Sequence, residues 1–135
     1  MAALSAPHEL AARGPLRIFR WSSGETERRQ THEVTARADT TVLDALVDMQ
    51  RRADATLAFR YAWRVGMCGS CAMVIDGRER WPCCTRLAQL GRTVTVRPLY
   101  HFPLLRDLVV DMKPFTERLR AAGAALAVRR LFGFA

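Results

Sequence analysis

The sequence predicts a small mixed α+β domain in which one helix packs against a sheet. Residues 16–21 alternate apolar and polar side chains and end in a Ser-Ser-Gly turn, and residues 31–36 form a second strand-like stretch, so the two predict a hairpin. Residues 41–49 carry a helix start at Thr41 and an apolar face. A loop with cysteines and glycines follows, and at 135 residues the chain is long enough for one core.

Each remaining element is predicted from local signals. Asp76-Gly77 marks a tight turn between two strands, at residues 71–75 and 80–84. Pro98 ends a last strand at residues 93–97. Two helices with proline near their start are expected at 103–112 and from 114 to about 130. The predicted organisation is an N-terminal tail (1–14), a domain (15–112) and a C-terminal helical extension (113–135), whose helix is expected to form an interface.

Composition narrows the function class. The net charge is +8, but the basic residues are scattered and almost all arginine, which predicts a solvated face or an acidic protein partner rather than nucleic acid. No apolar run approaches the roughly 20 residues of a membrane span. The first eight residues lack the pattern of a signal peptide. We therefore expect a cytoplasmic protein, or one peripheral on the cytoplasmic face of a membrane.

All four cysteines lie in one short stretch, at Cys68, Cys71, Cys83 and Cys84. Soft thiolates with this spacing around a short hairpin are typical of an iron–sulfur cluster site. The plant-type ferredoxin pattern is C-x4-C-x2-C with a distant fourth cysteine. Here the first position holds Trp63, whose indole N–H is only a donor. The motif thus lacks one ligand, and a disulfide framework is disfavoured by the spacing.

The run from Thr56 to Gly77, TLAFRYAWRVGMCGSCAMVIDG, resembles the ferredoxin-like domain of succinate dehydrogenase and fumarate reductase iron–sulfur subunits. The resemblance covers about residues 16–118, including the blocks at 17–21, 42–46, 84–86, 96–99 and 107–111. It implies a β-grasp (2Fe-2S ferredoxin-like) sheet with one packed helix and C-terminal helices. It also implies a 2Fe-2S cluster that exchanges electrons with FAD on a dehydrogenase or reductase subunit, with further electron-transfer or membrane-anchor subunits. No catalytic constellation is visible, so the chain is not expected to be an enzyme by itself.

The chain departs from this family pattern in three places. Trp63 stands at the first ligand position. One residue is inserted before the last ligand, so that Cys83 keeps the x11 spacing from Cys71 while Cys84 keeps the neighbouring Cys-Thr-Arg. The family's second, helical cluster domain has no counterpart in these residues. Carried over by position, Cys71 with Cys83 or Cys84 would hold the inner iron, and Cys68 would hold the outer iron alone.

Three outcomes remain open for the missing ligand. The extra cysteine completes the site, a group such as Asp76, His101 or the main chain does so, or the cluster is lost and the chain is a cluster-free docking subunit. The first is favoured, although neighbouring residues of a strand face opposite ways, so it requires a bulge at Cys83 and Cys84. Trp63 could fill the vacant ligand space as an apolar plug. The remaining candidates are Arg60 and Arg64, which flank the loop and could meet an acidic partner.

Overall fold

The computed structural model describes residues 11–123 and has a five-stranded mixed sheet in the order β2-β1-β5-β3-β4, beside a two-stranded sheet, β6-β7. The elements are β1 (Ala11–Arg20), β2 (Arg28–Ala36), α1 (Val42–Arg52), β3 (Met73–Ile75), β4 (Arg78–Arg80), a 3-10 turn (Leu87–Gln89), β5 (Val94–Arg97), β6 (Leu104–Arg106), β7 (Val109–Val110) and α2 (Lys113–Ala121). This confirms the predicted α+β, β-grasp architecture. Within the described residues, no helix is both long and apolar enough to cross a membrane.

The sheet is built on β1. This strand pairs antiparallel with β2, as the predicted hairpin requires, and parallel with β5, and β3 pairs antiparallel with both β4 and β5. Because β1 and β5 pair in parallel, a long crossover must connect them. Along the chain, α1 and the cysteine loop belong to this crossover. β1 begins at Ala11, inside the predicted tail, because its first residues continue the pairing with β2.

Helix α1 begins where the sequence predicts. Thr41 is the N-cap and forms a capping box with Asp44: the Thr41 hydroxyl accepts from the Asp44 amide, and the Asp44 carboxylate accepts from the Thr41 amide. The apolar face of α1 packs on the sheet, and Val42 and Leu46 are fully buried against residues such as Ile18. This packing fixes the helix start at a defined place over the sheet.

The predicted helix at residues 103–112 is wrong. The segment is a hairpin, with β6 and β7 separated by Asp107, which has a φ of 45°, and Leu108. A short apolar run does not distinguish helix from strand, and the β-branched Val109 and Val110 favour a strand. The predicted helix from Pro114 is confirmed as α2, which buries no side chain. α2 ends at Ala121 and Gly123 has a φ of 77°, so the helix is shorter than predicted; residues from 124 to about 130 lie outside the described structure.

A buried ion-pair network holds the hairpin in place. Arg20, at the end of β1, is 2% exposed, and its guanidinium donates to Asp107 (3.0 Å) and to Asp54 (2.7 Å). The Asp107 carboxylate also accepts from the main-chain amides of Trp21 (3.0 Å) and Ala58 (2.9 Å). The network therefore connects β1, the β6-β7 hairpin and the segment that leads into the cysteine loop.

Candidate functional site

The cysteine loop, residues 63–71, curls because three of its residues have left-handed backbone angles. These are Arg64 (φ 62°), Gly66 (φ 69°) and Gly69 (φ 66°). Such a backbone turns successive amides inward, as anion-binding loops do. Arg64 adopts this conformation without the freedom of glycine, and its guanidinium donates to the Asp44 carboxylate at 2.6 Å. That ion pair ties the loop to the start of α1.

Cys68 is exposed and has the environment of a thiolate. Its Sγ lies 3.1 Å from the Ser70 hydroxyl oxygen. The hydroxyl and main-chain amide of Ser70, together with the main-chain amide of Trp63, lower the pKa of the Cys68 thiol to about 7. A thiolate is the form that binds metal ions, so the loop prepares Cys68 as a ligand.

Cys71 lies at the buried end of the loop, just before β3, and is 3% exposed. Burial raises the pKa of the Cys71 thiol to about 11, with a smaller opposing contribution from the Cys83 amide. The neighbouring Cys83 thiol raises it further. A metal ion bound at Cys71 would therefore have to displace the proton of this thiol.

Cys83 and Cys84 lie in a turn rather than in a strand. β4 ends at Arg80, and the Cys84 amide closes the turn by donating to the Trp81 carbonyl at 3.0 Å. The predicted strand to residue 84 is therefore wrong, and no bulge is needed to bring the two thiols to the same side. Their Sγ atoms are 3.8 Å apart, well beyond the roughly 2.05 Å of a disulfide, so both are free thiols.

The start of α1 positions this turn as well as the loop. The first amides of a helix have no partner inside it, and here the Val42 amide donates to the Thr85 carbonyl (2.9 Å) and the Leu43 amide to the Pro82 carbonyl (3.1 Å). The cysteine turn thus caps the N-terminal end of α1, and the cysteine loop is bound to the same end through the Arg64–Asp44 ion pair. One helix terminus brings together two segments that are distant in sequence.

Gly66 shows how closely the turn and the loop meet. A Cβ atom built on Gly66 would collide with the Cys84 sulfur, and it would lie 3.8 Å from the ring of Trp81. The Cys84 sulfur therefore lies directly against the loop main chain between Trp63 and Cys68.

The other predicted residues have different surroundings. Trp63 is 67% exposed, so the hypothesis that its ring fills the vacant ligand space is wrong. Its main-chain amide, rather than its ring, acts on the site by lowering the pKa of Cys68. The Asp76 carboxylate accepts from the Thr95 amide (2.8 Å) and so holds the turn between β3 and β4. Arg60 donates to the Val110 carbonyl (2.9 Å). Arg60 and Arg64 are thus both engaged inside the domain.

The cysteine set fits a 2Fe-2S cluster in its chemistry. Among residues 11–123, no three Cys, His, Asp or Glu side chains are arranged around a single metal ion. A 2Fe-2S cluster, however, distributes four thiolates over two irons. Four free thiols, of which Cys71 is buried, Cys83 is half-buried and the other two are exposed, provide that number and type of donor.

An exposed apolar surface surrounds the site, and the sequence analysis did not predict it. Tyr61, Trp63, Val65 and Met67 lie at alternate positions of the loop, and Trp81 lies on the turn beside it. Met67 is 75% exposed. We call these five residues the loop surface. Large exposed apolar patches mark docking sites, and the period-two alternation from 61 to 67 is the signal that could have revealed it.

Comparisons with known proteins agree with this geometry. Residues 15–117 match the model of the 2Fe-2S iron–sulfur cluster binding domain family. The chain is 40% identical over 101 residues to the succinate dehydrogenase iron–sulfur subunit of Paracoccus denitrificans, covering 73% of this chain and 39% of that one. It is 42% identical over 91 residues to the fumarate reductase iron–sulfur subunit of Mycobacterium tuberculosis, covering 67% of this chain and 37% of that one.

Solved structures agree as well. A chain of the Mycobacterium smegmatis Sdh1 complex in the apo form superposes with a TM-score of 0.77 at 33% identity, over 83% of this chain and 47% of that chain. A hypothetical protein from Helicobacter pylori, with a TM-score of 0.57 at 14% identity over 84% of this chain and 21% of that one, shows the fold alone. The chain spans less than half the length of all these relatives. By its fold, its cysteine loop and the match over residues 15–117, the chain belongs to the 2Fe-2S iron–sulfur cluster binding domain family.

Proposed function

We propose that this domain holds one 2Fe-2S cluster on Cys68, Cys71, Cys83 and Cys84 and acts as the electron-transfer subunit of a flavoprotein oxidoreductase resembling succinate dehydrogenase or fumarate reductase. The observation that carries the proposal is that four free thiols lie on one loop and one turn, both anchored at the start of α1. When bound, such a cluster takes up and releases single electrons, which suits it to exchange with a flavin.

The residues around Cys68 and those around Cys71 would contribute to cluster binding in different ways. The amides and hydroxyl around Cys68 stabilise negative charge on its sulfur, so that this ligand needs little energy for deprotonation at neutral pH. Cys71 is 3% exposed and lies on the buried, low-dielectric side of the site. Exposure of Cys68 at the rim keeps the electron path to a partner short.

A partner subunit that bears FAD would cover the loop surface. Both arginines that flank the loop are engaged within the domain, so the apolar side chains, not these arginines, supply most of the contact there. The net charge of +8 would speed association with an acidic partner more than it would strengthen the complex. The proposed complex lies in the cytoplasm or on the cytoplasmic face of a membrane and includes any further electron-transfer or membrane-anchor subunits.

Cluster content is tested on the full chain, purified and reconstituted under anaerobic conditions. We expect about two irons and two acid-labile sulfides per chain, with visible absorbance that bleaches on reduction. Iron and sulfide near zero would refute the proposal and favour the alternative, a cluster-free docking subunit of the same kind of complex.

Partner binding is tested by co-purification from the native host at native expression levels, with FAD in the eluate measured by fluorescence. Replacing Trp63 by Ser should reduce co-purified FAD by about tenfold or more, since a buried interface Trp commonly contributes 2 kcal/mol or more. The matched control is Leu105→Ser, an exposed apolar residue on β6 outside the loop surface, which should leave the yield of FAD unchanged. Equal yields for the two variants would contradict docking through the loop surface.

A further inference from the structure

The segment from Trp63 to Met67 offers no suitable ligand of its own where the family pattern needs a thiolate. The Trp63 indole has no lone pair to give and points to solvent. Arg64 is committed to Asp44, and Val65 and Gly66 have no donor side chain. Met67 carries a thioether, a neutral and weak donor, and is the most exposed of the large apolar side chains in the described structure.

A sulfur from elsewhere in the chain reaches this segment. The Cys84 Sγ occupies the space that a side chain on residue 66 would fill, and the ring of Trp81 limits the same space from another direction. Gly66 is therefore needed for two separate reasons, its left-handed backbone and the approach of the Cys84 sulfur. The Cys84 thiol thus lies beside the segment from Trp63 to Met67, which has no thiolate ligand of its own.

The neighbouring Cys83 has a different partner. In the family pattern the last ligand, at the x11 spacing that Cys83 keeps from Cys71, holds the same iron as Cys71. Because the segment is a turn, the Cys83 and Cys84 thiols lie side by side, 3.8 Å apart, instead of on opposite faces of a strand. Each of the two adjacent cysteines can therefore serve a different half of one site.

We propose that Cys84 is the replacement for the thiolate missing at position 63, so that Cys84 shares one iron with Cys68 while Cys83 shares the other with Cys71. The inference rests on the proposed cluster function and adds to it the assignment of the fourth ligand. It makes the loss of a cysteine at 63 and the gain of one at 84 a single compensated exchange: the thiolate is delivered from the turn instead of from the loop.

The experiment compares seven forms of the full chain, reconstituted anaerobically: wild type, Cys84→Ser, Cys83→Ser, Trp63→Cys, Met67→Leu and the double variants Trp63→Cys/Cys84→Ser and Trp63→Cys/Cys83→Ser. Iron and sulfide content, visible absorbance and the electron paramagnetic resonance spectrum of the reduced protein are recorded for each. Serine changes one atom, and far-UV circular dichroism with the urea midpoint of the apo-proteins verifies that each variant is folded.

Cys84→Ser should lose bound iron or shift the absorbance toward that of a cluster with one oxygen ligand. Trp63→Cys/Cys84→Ser should regain the wild-type iron content with an all-cysteine spectrum, because the new thiol takes the position that Cys84 serves. Trp63→Cys/Cys83→Ser should not regain it, because Cys83 serves the Cys71 side. Met67→Leu should match wild type.

An unchanged Cys84→Ser spectrum in a protein whose wild type is loaded would overturn the ligand assignment and leave the cluster function standing. Rescue of the Cys83→Ser change by Trp63→Cys, without rescue of Cys84→Ser, would reverse the two cysteines and also overturn it. Loss of iron in Met67→Leu would move the ligand to the thioether. A wild-type chain without iron would instead refute the proposed function, and the inference with it.

Discussion

Removing the charge of Asp107 should destabilise the domain strongly, although this residue is far from any cysteine in the sequence. One carboxylate oxygen accepts from the Arg20 guanidinium and the Trp21 amide, and the other accepts from the Ala58 amide, in a site where Asp107 is 2% exposed. Asp107→Asn keeps the shape of the side chain and its tolerance of the left-handed backbone at φ 45°. The substitution removes the negative charge that compensates Arg20. It also places the NH2 group of asparagine, a donor, opposite a main-chain amide that is itself a donor.

Breaking one side of a buried ion pair costs about 3–5 kcal/mol, and an unsatisfied buried amide accounts for about 1–3 kcal/mol within that range. With a urea m-value of about 2 kcal/mol/M, a loss of about 4 kcal/mol lowers the unfolding midpoint by about 2 M. The assay is urea unfolding of the apo-protein followed by far-UV circular dichroism. The control is Asp48→Asn, which removes the same charge from an exposed pair with Arg52 and should cost less than about 0.5 kcal/mol. Equal shifts for Asp107→Asn and Asp48→Asn would refute the reasoning.

Three further predictions concern pH, the loop and the helix start. Hydrogen bonds from Thr56, and then from the buried Arg20, hold the pKa of Asp54 well below its usual range. The stabilisation that the ionised Asp54 gives the fold is therefore complete above its unfolded-state pKa of about 3.9 and is lost as the pH falls below that value. Asp54→Asn should make the urea midpoint depend less on pH in this acid range, and an unchanged slope would contradict the reasoning. Gly66→Ala should lower the thermal midpoint of the apo-protein more than Gly77→Ala, because both residues have positive φ but only a methyl group at 66 meets a neighbouring sulfur; equal losses would argue against that contact. Thr41→Ala should cost about 1 kcal/mol in urea unfolding through loss of the capping box, while Thr41→Ser, which keeps the hydroxyl, should cost much less; similar losses would show that the cap does not matter.

Elements stabilised by neighbours in the sequence could be predicted from it. The capping box of α1 joins residues only three apart, and the turn between β3 and β4 is set by Asp76-Gly77, both with positive φ. The hairpin of β1 and β2 likewise follows from local alternation and a turn. For these elements the physical cause lies within a few residues, so the prediction was confirmed.

The hairpin at 104–110 could not be predicted in the same way. Its conformation depends on Asp107, whose partner Arg20 lies 87 residues earlier in the chain. A short apolar segment with proline at its start is compatible with helix or strand until that long-range contact is made. The local signals favoured a helix, and the tertiary contact decided for a strand pair.

The chemistry of the site was readable from the chain, because cysteine is its only source of thiolates and all four lie between residues 68 and 84. Residue types and spacing were enough to identify the family and the missing ligand at Trp63. Which thiol faces which neighbour was decided in three dimensions. The amides at the start of α1 donate hydrogen bonds to carbonyls of the cysteine turn, and the Cys84 sulfur of this turn lies against Gly66. Spacing along a chain constrains which groups are available, whereas their directions depend on the backbone angles and on hydrogen bonds to distant segments.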